Sequence, residues 1–154
     1  MPQRSDRFAI FVYGSLQFQD VIEAVSGRRF PAEDAVLHGY RRRRIQNHSF
    51  PGIRPDSAEK TQGQILRDVL EADLQVLDAF EGDLYERKTV SVRIGSDRLQ
   101  TDTEAFAYVI RDEFADWMSA ESWDLGWFQK NELRSFIPRC REFRDEILDL
   151  VESD

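Results

Sequence analysis

A carboxylate at the unfavourable end of a helix is the chemical feature that stands out in this 154-residue chain. Glu81, in LDAFEGDLYER (77–87), falls at the C-terminal end of a helix spelled by residues 71–81, beside Phe80 and just before Gly82. The helix dipole is negative there, so a charged acid is disfavoured. A surface glutamate would tolerate the position at a cost of a few tenths of a kcal/mol. With partial burial, the same field would raise its pKa toward neutrality and make it a better general base. A second feature is FVYGSLQF (11–18), where Gly14 and Ser15 follow the apolar run FAIFV almost directly. Such residues are ordinary punctuation where a strand ends. They are also a binding device, because a glycine lets backbone N–H groups approach an anionic group.

Other chemistries find little support. The two histidines, His38 and His48, lack the spacing of a zinc helix motif, so no metal site is expected, and His48 reads as an exposed loop residue. Ser15 in YGSL lacks the first glycine of a nucleophile elbow, and the stretch has no P-loop lysine. Cys140 stands between Arg139 and Arg141, which would lower its pKa, but after an aromatic-rich helical stretch it reads as a packed thiol. Arg41 to Arg44 form a basic run, yet on a strand only two of the four share a face. An ion-paired strand fits them best, ahead of an anion site or a nucleic-acid contact.

The net charge of −8 opposes general nucleic-acid binding, which depends on many Lys and Arg phosphate contacts. No apolar segment approaches the roughly 20 residues of a membrane helix, and MPQRSDRF lacks the apolar core of a signal peptide. A cytoplasmic protein without a membrane partner is expected. One cysteine excludes an internal disulfide, which agrees with a reducing compartment. The chain length suits one domain, 1–154, with residues 119–154 as a helical C-terminal extension.

The elements that must position Glu81 and the Gly-Ser turn follow from periodicity. Residues 8–12 read as a buried strand and 17–26 as a short helix, with Phe18, Val21, Ile22 and Val25 on one face and Gly27 as its stop. Residues 34–45 and 61–70 read as strands flanking a turn-rich loop, 47–60, which is long enough to be functional. Helix 71–81 carries Leu74, Leu77 and Phe80, with Glu71 and Asp73 in its first turn and Gly82 as its cap. Residues 86–94 and 99–110 alternate as paired antiparallel strands joined by the hairpin-like GSD (95–97). Two helical segments then follow, divided by Pro138, the second with Phe143, Ile147, Leu150 and Val151 on one face. Trp123, Trp127 and Phe128 read as core. The order lacks regular strand–helix alternation, so the fold class is α+β, with the sheet curled into a partial or closed barrel.

Together FVYGSL, VLHGYRRRR, FPGI and LDAFEGDLYER, in that order and on those elements, resemble the γ-glutamylcyclotransferase-like family, and most closely its plant avirulence-induced (AIG2-like) branch. The resemblance covers roughly residues 8 to 110. It implies a small mixed β-barrel with flanking helices and a cavity at one end. There the loop Tyr13, Gly14, Ser15 and Leu16 would bind a γ-glutamyl head through backbone amides, and Glu81 matches the family's acid–base. It further implies a cofactor-independent acyltransferase or lyase type of enzyme, which closes a γ-glutamyl amide to 5-oxoproline and releases the amine. Tyr85 and Arg87 resemble positions near the cavity, where a structural hydrogen bond or ion pair is an equal reading. Tyr108, on a strand lining the barrel, is expected to meet substrate or Glu81, or to pack in the core. Pro51 and Gly52 would shape the rim. The partner is a small γ-glutamyl molecule, and the assembly a monomer or homodimer. A non-catalytic ligand-binding or signalling module of the same fold is the alternative.

Overall fold

The run FAIFV is apolar throughout because both faces of its strand are covered. In the computed structural model, which describes residues 7–95 and 98–153, this strand (β1, Phe8–Val12) sends Phe11 into one core. Ile10 and Val12 face another. The first core is the interior of a barrel and takes side chains from all five strands. Besides β1 these are β2 (Ala32–Arg44), β3 (Pro51–Val69), β4 (Tyr85–Ile94) and β5 (Thr101–Ile110). The strands close in the order β1, β3, β2, β4, β5. All neighbours are antiparallel except β1 and β5, which run parallel where Ile10 meets Phe106, so the sheet is mixed as expected.

The second core lies between the barrel and the helices α1 (Gln19–Ser26), α2 (Glu71–Glu81) and α4 (Leu133–Ser153). Ile22, Val25, Leu74, Leu77 and Cys140 are buried in it. Each such aliphatic side chain contributes about 1.5–3 kcal/mol relative to exposure. At the start of α2 the Asp73 carboxylate accepts from the Leu70 amide at 2.9 Å and from Arg28 at 2.5 Å, so the first turn is both capped and tied to the chain after α1.

Two expectations from the sequence are corrected. The turn-rich stretch 47–60 is not a long loop, since all of it from Pro51 onward is strand β3. Pro51 stands at the first strand position, and Pro55 faces Tyr40 beside the register shift between His38 and Tyr40, two places where a sheet tolerates proline. Acids at turn-like positions, Asp56 and Glu59, reach across the hairpin to Arg41 and Arg43. Pro138, in turn, does not divide two helices. It lies inside α4, and the break falls at Glu132, after the short α3 (Leu125–Asn131). Phe136 and Ile137 before the proline and Cys140 after it pack on the helical core, which outweighs the one backbone hydrogen bond that proline removes.

Trp123 and Phe128 are core residues, but Trp127 is 39% exposed, under the Arg44 guanidinium at 5.0 Å. No helix among the described residues is long and apolar enough to cross a membrane. Ser96 and Asp97 of the GSD connection, residues 1–6, and the side chains of Leu150 and Val151 lie outside the described residues.

Candidate active site

The chain leaves β1 at Val12 and reverses at once. Tyr13 enters the barrel, and its hydroxyl donates to the Tyr108 carbonyl at 2.6 Å. Gly14 then lies against the Pro51 ring so closely that a Cβ would sit 2.9 Å from Pro51 Cγ, which is why a residue with a side chain does not fit. Ser15–Gln17 form one 3-10 turn. The turn's carbonyls are used inward: Arg42 Nη1 donates to Tyr13 O at 2.7 Å, the Gln17 amide to Gly14 O at 3.1 Å, and the Phe18 amide to Ser15 O at 3.1 Å. Its amides are not. No described residue accepts a hydrogen bond from the Gly14, Ser15 or Leu16 N–H groups. Three consecutive donors without acceptors, on residues that line a cavity, are groups an anion could satisfy.

Helix α2 delivers Glu81 on the other side. Gly82 ends the helix at φ 77° and ψ −166°, a region that only glycine occupies readily, so the chain turns away and leaves Glu81 at the helix end. No described side chain donates a hydrogen bond to Glu81. Burial first, and the Asp78 carboxylate second, push its pKa from 4.5 up to about 8. Asp78 is differently placed. Its oxygens receive Arg87 Nε at 2.9 Å, Arg87 Nη2 at 3.2 Å and the Tyr108 hydroxyl at 2.7 Å. The Arg87 guanidinium also lies over the Phe106 ring at 4.6 Å.

Tyr13, Gly14, Ser15, Leu16, Glu81, Tyr85 and Tyr108 all line one cavity of about 220 Å³, which Phe50, Pro51 and Phe136 help to enclose. Tyr85 donates its hydroxyl to Pro51 O at 2.6 Å, pinning the start of β3 to the cavity wall. Burial is the largest cause holding the hydroxyls of Tyr13, Tyr85 and Tyr108 above the ordinary tyrosine pKa, so they stay neutral. Glu81 is then the lining group that titrates near neutral pH.

Some sequence-derived candidates take other places. Tyr108 reaches Asp78 rather than Glu81, because its hydroxyl is drawn to the ion-paired carboxylate. Arg87 is the partner in that ion pair. Gly52 packs under Ile110 and Ile45 instead of forming the rim. His48 is exposed, as expected of a turn residue, and stacks on Phe50 with ring centroids 4.6 Å apart. Cys140 is a buried free thiol whose pKa burial pushes up to about 12, an inert packing group. The arginine run is consumed by its neighbours: Arg41 and Arg43 pair with acids, and Arg44 donates to His48 O at 2.7 Å. Arg42, whose role in holding the Tyr13 carbonyl strand alternation alone does not reveal, is the member that shapes the site. Among the described residues no group of three His, Cys, Asp or Glu side chains is arranged to hold a metal ion.

A model of the family "Gamma-glutamyl cyclotransferase, AIG2-like" matches residues 10–125. The AIG2-like protein C of Arabidopsis thaliana is 32% identical over 138 residues, covering 88% of this chain and 77% of its own. The solution structure of another Arabidopsis thaliana protein superposes with a TM-score of 0.67 at 27% identity, over 89% of this chain and 90% of that one. A γ-glutamyl cyclotransferase specific to glutathione, from yeast, has a TM-score of 0.61 over 93% of this chain and 97% of its own. At 11% identity that likeness concerns the fold alone. By the family match over most of its length, and by its likeness to these relatives, the chain belongs to the AIG2-like γ-glutamyl cyclotransferase family.

Proposed function

We propose that the cavity catalyses intramolecular cyclisation of a γ-glutamyl amide to 5-oxoproline, with Glu81 as the proton-transfer group and no cofactor. The observation that carries this reading is a half-buried carboxylate without a hydrogen-bond donor in the same small cavity as three unpaired backbone amides. The amides of Gly14, Ser15 and Leu16 suit the α-carboxylate of the γ-glutamyl head, and Glu81 then receives the α-ammonium. Burial raises Glu81 from 4.5 to about 8, much closer to an α-ammonium than an ordinary carboxylate stands, so proton transfer between them is less uphill.

Once neutral, the α-nitrogen attacks the γ-carbonyl carbon and forms the ring C–N bond. The C–N bond to the acylated amine breaks, the proton held by Glu81 passes to the departing nitrogen, and the ring nitrogen gives up its second proton, which the released amine also takes up. The products are 5-oxoproline and the amine as its ammonium ion, so atoms and charge balance without water or a second reactant. The rate gain comes from holding a folded conformer, since nucleophile and electrophile belong to one molecule. The neutral tyrosines around the cavity supply a fixed polar wall without competing for the proton.

The test is a panel of γ-glutamyl amides assayed for 5-oxoproline, with wild-type and Glu81→Gln proteins. Release by the wild type alone supports the reading. Binding of the amides without release by either protein would favour a ligand-binding module of the same fold.

A further inference from the structure

A peptide unit is planar, and in its trans form the C=O and the N–H point in opposite directions. Every described peptide bond here is trans, so whatever holds a carbonyl on one side aims the next residue's amide to the other. Three such units run from Tyr13 to Leu16, and each carbonyl is held. Arg42 Nη1 donates to Tyr13 O at 2.7 Å, the Gln17 amide and Nε2 to Gly14 O at 3.1 and 3.3 Å, and the Phe18 amide to Ser15 O at 3.1 Å. The amides aimed away from these donors are those of Gly14, Ser15 and Leu16, the three without acceptors. Two of the holds are local and come with the 3-10 turn. The third comes from β2 and carries a full charge.

Arg42 is a costly residue to place there. It is half-buried, and burial is the largest cause pulling its pKa below the ordinary arginine value. A charge taken out of water needs a partner, and its chain neighbours have theirs: Arg41 pairs with Asp56 and Arg43 with Glu59. No described acid lies within ion-pair distance of Arg42. Asp124, whose field it feels, spends an oxygen on the Gly126 amide at 3.1 Å to start α3. The Arg42 guanidinium is instead clamped among neutral groups. Its Nη1 also donates to Gln62 O at 2.9 Å, and its carbon lies over the Trp123 ring at 5.4 Å. Trp123 is itself fixed, its Nε1 donating to Ser49 O at 2.7 Å. A held cation without a counter-charge thus stands directly behind the Tyr13–Gly14 peptide.

We infer that Arg42 is a positioning residue for the substrate's α-carboxylate, fixing and polarising the Tyr13–Gly14 peptide so that the Gly14 N–H holds an anion more tightly than an ordinary amide would. This rests on the proposed function of the Glu81 cavity and adds to it the source of the charge that complements an anionic head. Guanidinium and carboxylate never touch. They lie on opposite sides of one peptide dipole, and each strengthens the hydrogen bond that the other makes to it.

Two ligands isolate that carboxylate: γ-glutamyl-propylamide, and 4-aminobutyryl-propylamide, which differs only in lacking it. Affinity is measured by calorimetry in the Glu81→Gln protein, which separates recognition from turnover, with and without a change at Arg42. Arg42→Gln should weaken γ-glutamyl-propylamide about tenfold, the scale of one hydrogen bond to a charged group, and 4-aminobutyryl-propylamide by about twofold or less. Arg42→Lys keeps the charge but not the planar fork, and should cost γ-glutamyl-propylamide alone about threefold. In amide proton spectra, γ-glutamyl-propylamide should move the Gly14 resonance downfield, and less so in Arg42→Gln. Equal weakening of both ligands would make Arg42 a structural prop and overturn the inference. Unchanged affinities, a Gly14 resonance indifferent to γ-glutamyl-propylamide, or no binding of either ligand would do the same. If Arg42→Gln does not fold, Arg42→Lys decides alone: a loss confined to γ-glutamyl-propylamide supports the inference, and a loss for both ligands or for neither overturns it. The expected binding pattern without 5-oxoproline release by the otherwise unchanged protein would retain the role of Arg42 and remove the enzymatic reading. Release together with equal weakening would do the reverse.

Discussion

Asp78 and Glu81 stand three residues apart on one helix and carry the same functional group, yet their surroundings are opposite. Asp78 receives three hydrogen bonds, two from Arg87 and one from Tyr108, whereas Glu81 receives none and is pushed up to about 8. The difference lies in what faces each carboxylate, not in the residue type. Asp78 faces the β4 and β5 strands, where an arginine and a tyrosine meet it. Glu81 faces a hollow whose tyrosines have spent their donors elsewhere: Tyr13 on Tyr108 O and Tyr85 on Pro51 O. One carboxylate joins helix to barrel, and the other is left to exchange a proton. The pair is also coupled, because the charge on Asp78 is the second cause of the Glu81 shift.

The largest effect is expected at Glu81. Glu81→Gln should lower 5-oxoproline release by on the order of 1,000-fold, within the range for loss of a general acid–base, while the protein remains folded. A steady-state assay beside a thermal melt checks both halves of that statement. The opposite wall is next. Gly14→Ala places a methyl 2.9 Å from Pro51 Cγ, so the YGSL turn must move. A displacement on the scale of 1 Å should cost about 100-fold in kcat/KM.

Asp78→Asn tests the coupling. The ion-pair carboxylate is 40% exposed, so its loss should destabilise the fold by only about 1 kcal/mol in a denaturant titration. The acid limb of the pH–rate profile should move below about 8, because the like charge is gone, but should stay above 4.5, because burial remains.

The sign of the pH effect on stability follows from the same shift. The folded pKa of Glu81 lies above its unfolded value, so the folded chain binds the extra proton between about 4.5 and 8. That contribution is fully present below about 4.5 and is lost as pH rises through about 8. Glu81→Gln escapes the loss, so its Tm relative to wild type should increase from pH 5 to pH 8.5, as calorimetry at the two values would show. The smallest effect belongs to Ser15. Its hydroxyl makes no hydrogen bond among the described residues, and Ser15→Ala should change kcat/KM by about twofold or less. A larger loss than at Glu81 would restore the serine as nucleophile.

Local patterns made the helix end legible: apolar spacing, early acids and Gly82 place residues 71–81 in a helix that is found over the same residues. The YGSL turn was legible for a similar reason, since a strand buried on both faces must end abruptly when Gly and Ser follow. What local pattern does not carry is which surface a residue faces across the fold. Asp78 reads in the sequence as one more acid on a charged helix, and only the closure of β4 and β5 behind it supplies Arg87 and Tyr108. Arg42 is hidden for the same reason within a run of four identical residues. Stretch 51–60 looks like a loop because its prolines and acids suit turns, while their place at a strand start, beside a bulge and opposite arginines depends on the pairing of β2 with β3. Pro138 misleads by the same route: propensity ends a helix there, and packing on both sides of the proline continues it.

The role proposed for Glu81 is to move the proton in 5-oxoproline formation. Its most direct test is the pH dependence of kcat/KM for 5-oxoproline release from a γ-glutamyl amide, in wild type and Glu81→Gln. An acid limb that rises toward about 8 is expected in the wild type, with release reduced to background in the variant. Release that persists in Glu81→Gln, or a wild-type rate with no acid limb between pH 5 and 8, would contradict it.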